Sequence, residues 1–112
     1  MAECLFCRIV RREIPAQIVL EDEQAVVFKD VNPQAPTHVL IVPKKHLGSL
    51  SASTDADAAL LGHLQRTACR IAADGGLSSY RLVTNNGRGA GQSVDHLHYH
   101  LLAGRPMAWP PG

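Results

Sequence analysis

The stretch DHLHYHLL, residues 95–102, decides how the rest of this 112-residue chain is read. His96, His98 and His100 alternate in it with Leu97, Tyr99 and Leu101. Successive side chains of a β-strand face opposite sides, so a strand gathers the three imidazoles on one face and the three apolar residues on the other. On a helix the same residues would fan out and the cluster would dissolve. A glycine-rich stretch before it and Gly104 and Pro106 after it bound a segment of strand length. The sequence therefore predicts a strand whose histidines need hydrogen-bond partners or a metal, because burying imidazoles without either is costly.

Working outward, residues 3–12 can form a short helix with Leu5, Phe6, Ile9 and Val10 in one apolar patch, ending before Pro15. IVLEDE (18–23) and AVVFKD (25–30) are β-rich runs joined by acidic turn residues and read as an antiparallel hairpin. VNPQAP is a turn-rich connection, after which THVLIVPKK (37–45) gives a third strand closed by Pro43. Ser53 or Thr54 can cap a helix entered through Asp55 and Asp57, with Leu60, Leu61, Leu64, Ala68 and Ile71 along one face and the glycines at 75–76 as its stop. YRLVTN (80–85) makes a fourth strand, NGRGAGQS (86–93) a glycine-rich loop into the histidine strand, and residues 104–112 an irregular tail. These elements predict an α+β fold, a twisted antiparallel sheet of about five strands with one short and one long helix packed on one side.

The length suits a single domain over residues 1–112, of a size at which a symmetric partner often adds stability. A net charge of +1 and a pI near 7.8 give no electrostatic reason to expect nucleic acid or an anionic membrane surface. No run approaches the roughly 20 apolar residues of a membrane span, and the N-terminal apolar run is too short for a secretory signal. A cytoplasmic protein is expected. Its three cysteines do not suit a disulfide framework. Cys69, beside Ala68, Ile71 and Ala72, is expected to be a buried thiol acting as a small hydrophobe. Cys4 and Cys7 are spaced to chelate a metal or to cycle as a redox pair.

His63, alone on the long helix, reads as an ordinary satisfied residue, whereas three histidines on one face favour a functional site. One possibility is a three-histidine zinc site with an open water position for hydrolysis. The other is a neutral imidazole acting as a nucleophile, its second nitrogen hydrogen-bonded so that the first carries a free lone pair. The loop before the strand offers backbone N–H groups, small residues and the Ser93 hydroxyl, which suits a phosphate or an oxyanion.

HLHYHLL (96–102) resembles the histidine-triad signature of the HIT superfamily. IPA at 14–16, QAPTHVLIVPKKH at 34–46, AGQSV at 90–94 and WPPG at 109–112 resemble its Hint branch, the purine nucleoside phosphoramidases, over nearly the whole chain. The resemblance implies the HIT-like fold and a nucleotide hydrolase cleaving the P–N bond of adenosine or guanosine phosphoramidates. His98 would be the nucleophile, and His100 and His38 would orient it and stabilise phosphate charge. Asn85, Gly91, Gln92 and Ser93 match the phosphate loop, with Ser93 near the leaving group, and Asp30 matches the acid that accepts the ribose hydroxyls. Phe6, Ile9, Phe28, Val31 and Leu40 match the apolar walls of the base pocket.

In zinc-containing microbial relatives, a Cys-x-x-Cys pair, a histidine after the third strand and the first triad histidine hold a structural zinc. Cys4, Cys7, His46 and His96 stand at those positions, and two thiolates with two imidazoles make a closed tetrahedral set. The family pattern also implies a homodimer with a continuous sheet, the tail reaching toward the partner's site and Trp109 acting as an interface anchor. Asp95, where relatives usually carry an aromatic, and Ala108, where close relatives carry histidine, depart from that pattern. Asp95 is expected to alter packing without a direct catalytic role. Two rival functions stand beside the phosphoramidase: a nucleotide-binding regulatory or scaffold protein, and a catalytic three-histidine zinc hydrolase.

Overall fold

The computed structural model describes residues 4–112. Five antiparallel strands form one sheet: β1 (Ile18–Glu21), β2 (Ala25–Lys29), β3 (Thr37–Pro43), β4 (Arg81–Val83) and β5 (Tyr99–Ala103), in the order β1-β2-β3-β5-β4. Helix α1 (Leu5–Val10) precedes β1, and helix α2 (Ala58–Asp74) links β3 to β4. The first residue of the helix predicted over 3–12 lies outside the described residues. No described helix is long and apolar enough to cross a membrane.

Central strands β2 and β3 are buried on both faces, and alternation along them splits the apolar residues into two cores. Val27, Val39, Ile41, Leu97, Tyr99 and Leu101 meet Leu60, Leu64 and Ala68 of α2 in one core. Val26, Phe28, Leu40 and Val42 meet Phe6 and Ile9 of α1 in the other. The expectation of both helices on one side is thereby corrected, since α1 and α2 cover opposite faces. Six residues are too short to be stable alone, so α1 depends on the apolar surface offered by the even-numbered residues of β2 and β3.

The predicted hairpin is present, with the Asp22 carboxylate accepting from the N–H groups of Gln24 and Ala25 at 2.8 Å each. Of the two capping candidates, Thr54 forms a reciprocal capping box with Asp57 that opens a short 3₁₀ turn into α2. Gly76, at φ +66°, lies just beyond the end of that helix. His63 is satisfied, its Nε2 lying 2.7 Å from Asp22. Cys69 differs from expectation: it is half-buried, with Sγ 3.8 Å from the Tyr80 hydroxyl, because its position on α2 turns toward the edge of the sheet layer.

The histidine stretch also differs. Regular pairing begins only at Tyr99, so His100 lies in β5 while His96 and His98 precede it. The reason is local: the Leu97 N–H is bonded to the Leu47 carbonyl in a loop at 2.6 Å, outside the ladder. Alternation still holds through Leu97, Tyr99 and Leu101, which all enter the α2-side core.

Gly104 ends β5 at φ +97°, and a Cβ placed there would stand 2.8 Å from the Pro36 Cβ. Gly104→Ala therefore meets a left-handed backbone and a clash with a rigid ring, and is expected to lower the free energy of unfolding by about 2 kcal/mol. Urea denaturation followed by tryptophan-independent far-UV circular dichroism would measure it.

Candidate functional site

A cavity of about 300 Å³ opens on the α1 side of the sheet. Phe6, Ile9, Phe28 and Leu40 form apolar walls, and Asp30, Ser93, His98 and His100 bring the polar groups. That combination of apolar lining and a few convergent polar groups is the usual make-up of a small-molecule site. A more open hollow of about 480 Å³ beside the C-terminal tail is lined by Tyr80, Arg81, Arg105 and their neighbours, and contains no histidine or carboxylate.

Hydrogen bonds set the ring tautomers. The His98 Nδ1 lies 2.7 Å from the carbonyl oxygen of His96. A carbonyl only accepts, so Nδ1 carries the proton and a neutral His98 presents a bare lone pair at Nε2. Phe6 stands edge-on to this ring at a centroid distance of 5.0 Å, and the His100 ring lies at 5.0 Å on another side. The Gln34 backbone N–H donates to Nδ1 of His38 at 3.0 Å, which leaves the proton of a neutral His38 on Nε2. That Nε2 is 2.9 Å from Nδ1 of His100 and 3.4 Å from the Asp30 carboxylate. His100 is thus the acceptor at Nδ1 and keeps its proton on Nε2. Burial lowers the His100 pKa to about 4, with smaller contributions of the same sign from His98 and His38 and an opposing one from Asp30. The ring is neutral at pH 7.

The other expected residues divide. Asp30 is at the cavity, but one of its oxygens already accepts from the Asn32 N–H at 2.8 Å. Val31 lines the mouth and is fully exposed. Gln92 is buried, and its amide is spent on main-chain groups: Oε1 accepts from the Gly87 N–H, and Nε2 donates to the carbonyls of Gly48 and Val94. It holds the loop and has no free polar atom for a ligand. Gly91, at φ +96°, packs close to the Asn85 amide, and neither lines the cavity wall. Ser93 and Val94 do. The sequence reading missed three supports, all main-chain groups without a residue-type signal: the carbonyls of His96 and Pro43 and the amide of Gln34.

A second cluster lies beside the cavity. Cys4 Sγ, Cys7 Sγ, His46 Nδ1 and His96 Nδ1 all lie within 4.8 Å of one another. The His96 Nε2 is bonded to the Pro43 carbonyl at 2.8 Å, so its Nδ1 faces the thiols with a lone pair. The Cys4–His96, Cys7–His46 and His46–His96 separations are 3.3, 3.2 and 3.0 Å. Ligands around a tetrahedral zinc ion stand roughly 3.3–3.8 Å apart, from Zn–S and Zn–N bonds of about 2.3 and 2.0–2.1 Å. Burial holds the His96 pKa down at about 4, which keeps the ring neutral as a ligand must be. The donor set therefore fits a metal ion. Asp30, His38 and His100 also lie close together, but the proton on Nε2 of His38 occupies the position a cation would need. The three triad rings do not converge on one point: His96 turns to the thiols, His98 to a carbonyl and His100 to His38. This geometry overturns the alternative of a three-histidine catalytic metal.

The HIT domain family model matches residues 11–107. An uncharacterized HIT-like protein of Synechocystis is 60% identical over 114 residues, covering 100% of both chains. A HIT family hydrolase from Legionella pneumophila superposes with a TM-score of 0.96 at 50% identity, covering 98% of this chain and 100% of that one. A HIT family hydrolase from Clostridium thermocellum gives 0.91 at 44% identity, with 96% of each chain covered.

The depressed pKa of His100 has a consequence for stability. Between its ordinary value of 6.5 and about 4 the unfolded chain binds a proton that the folded ring refuses. The contribution is therefore complete above pH 6.5 and is lost as pH falls toward 4. His100→Gln is expected to flatten the fall in urea midpoint across that window, and nitrogen-detected NMR to find the His100 ring still neutral at pH 5.5.

Proposed function

The chain belongs to the HIT domain family, and on that premise we propose that it hydrolyses purine nucleoside phosphoramidates of the AMP-lysine type through a covalent nucleotidyl-His98 intermediate. The observation that carries this reading is the 2.7 Å bond from His98 Nδ1 to a main-chain carbonyl, which frees Nε2 for attack beside a cavity with an apolar end and an acidic corner. The adenine or guanine ring would lie between Phe6, Ile9, Phe28 and Leu40, with Val31 at the mouth. Asp30 would receive ribose hydroxyls on the oxygen not held by Asn32.

In the first step the Nε2 lone pair of His98 bonds to the α-phosphorus, the P–N bond breaks, and the leaving amine takes a proton at the mouth, where the Ser93 hydroxyl is exposed. His98 is then bonded through both nitrogens, and its Nδ1–H remains on the His96 carbonyl. In the second step water attacks phosphorus and releases one proton to solvent, replacing the one the amine took. The water oxygen bonds to phosphorus, the N–P bond breaks to restore the Nε2 lone pair, and the nucleoside monophosphate departs. One water is consumed over the two steps. The Nε2–H of His100, backed by His38, would donate to a phosphate oxygen as charge develops there.

Cys4, Cys7, His46 and His96 would hold a structural zinc ion. With four protein ligands it has no open position, so it would supply folding energy by joining the start of α1 to the segments after β3 and before β5. We further read the protein as a cytoplasmic single domain that pairs with a second copy. The 82% exposed Trp109 on the tail supports that pairing.

His98→Ala should lower turnover of adenosine 5′-phosphoramidate by roughly three orders of magnitude or more, and intact-protein mass spectrometry of wild type quenched during turnover should find a nucleotide adduct on His98. Binding without turnover by wild type would instead mark a regulatory nucleotide-binding protein. Cys4→Ser should lose about one metal equivalent in elemental analysis and about 3 kcal/mol or more of stability, while turnover per folded molecule stays within about threefold.

A further inference from the structure

The loop ahead of the histidines carries a device that this reaction scheme does not use. A 3₁₀ turn, Arg88–Ala90, is bracketed by Gly87 and Gly91, both at positive φ. Inside the loop, the Gly87 carbonyl accepts from the N–H groups of Ala90 and Gln92 at 3.1 Å each. Outside it, the Arg88 guanidinium folds back over the chain. Its Nη1 donates to the carbonyls of Gln92 and Ser93 at 3.2 and 2.9 Å, and its Nη2 donates to the Asp95 carboxylate at 2.9 Å.

Across a trans peptide, the carbonyl of one residue and the N–H of the next point in opposite directions. By drawing the carbonyls of Gln92 and Ser93 toward itself, Arg88 turns the N–H groups of Ser93 and Val94 the other way. Both residues line the His98 cavity, and neither N–H has a hydrogen-bond partner among the described residues. Two unpaired donors are held beside the nucleophile where anionic oxygens would sit.

We propose that Arg88 and Asp95 are positioning residues, an external clasp that pre-orients the Ser93 and Val94 amides toward the substrate phosphate. Asp95 holds Nη2 and neutralises the guanidinium, so that Nη1 bridges the two carbonyls instead of lying free in solvent. This gives a role to the departure at position 95, and it rests on the phosphoramidase reading of the cavity. Both side chains are largely exposed, at 66% and 73%. Such a pair adds little to global stability and is sensitive to salt.

The test uses wild type, Asp95→Ala, Arg88→Ala, Arg88→Lys and the double alanine variant, with adenosine 5′-phosphoramidate as substrate. Asp95→Ala and Arg88→Ala are each expected to lower kcat by about threefold to fivefold, with KM and melting temperature nearly unchanged. The double variant should be no slower than Arg88→Ala, and Arg88→Lys should not restore the rate, because an ammonium lacks the fork. Raising ionic strength should slow wild type but not Asp95→Ala. Additive losses, or full activity in Arg88→Ala, would overturn the proposal. Hydrogen exchange of the Gly87, Ala90 and Gln92 amides, measured without substrate, separates this proposal from the functional reading. Faster exchange in both alanine variants supports the clasp even if wild type proves inactive on the phosphoramidate, and unchanged exchange overturns it whatever the activity.

Discussion

The bond between Nδ1 of His98 and the carbonyl of His96 is the constraint on which the site depends. A histidine has two nitrogens and, when neutral, one proton; whichever nitrogen is tied to an obligate acceptor decides where the lone pair goes. Using a main-chain carbonyl as that acceptor has a further effect. The orienting group cannot rotate away, because the His96 ring is held by the Pro43 carbonyl and the peptide that carries the orienting carbonyl is held by the bond from the Leu97 N–H to the Leu47 carbonyl.

His96 consequently joins two chemistries. Its carbonyl orients the His98 ring, and its Nδ1 completes the four-donor cluster with Cys4, Cys7 and His46. The same cluster reaches the start of α1, where the Cys4 thiol also caps the helix by accepting from the Cys7 N–H. Phe6, two residues along, then places its ring against both His96 and His98. A helix too short to stand alone is thereby fixed at its N-terminal end by polar contacts and on its buried face by packing, and it becomes one wall of the cavity.

On the other side of His98, His38 and His100 form a hydrogen-bonded line, with the Asp30 carboxylate beside the same Nε2 of His38 that faces His100. Each ring passes its donor capacity in one direction, starting from the Gln34 amide. Burial keeps His100 neutral, so the line ends in an N–H donor at the cavity and does not add a fixed positive charge to it. The arrangement is a hydrogen-bonded support beside His98, and its tautomers leave no vacancy for a cation among Asp30, His38 and His100.

The alternation in residues 95–102 by itself determined that Leu97, Tyr99 and Leu101 enter a core and that the histidines avoid it, because a period of two leaves no other arrangement of apolar side chains. Local turn and cap chemistry likewise determined the β1-β2 hairpin and the entry to α2 near residues 53–57, while the structure chose Thr54 over Ser53 as the cap. The family motifs marked which side chains to look for. Only the tertiary structure decided what the His96 and His100 rings do, because their partners are remote in sequence: Pro43 for His96 and His38 for His100. The placement of α1 opposite α2 was also undecided by pattern, since strands buried on both faces read as continuous apolar runs and do not say which helix covers which side. Main-chain carbonyls and amides carry no residue identity, and they are the groups that fix the tautomers of His38, His96 and His98.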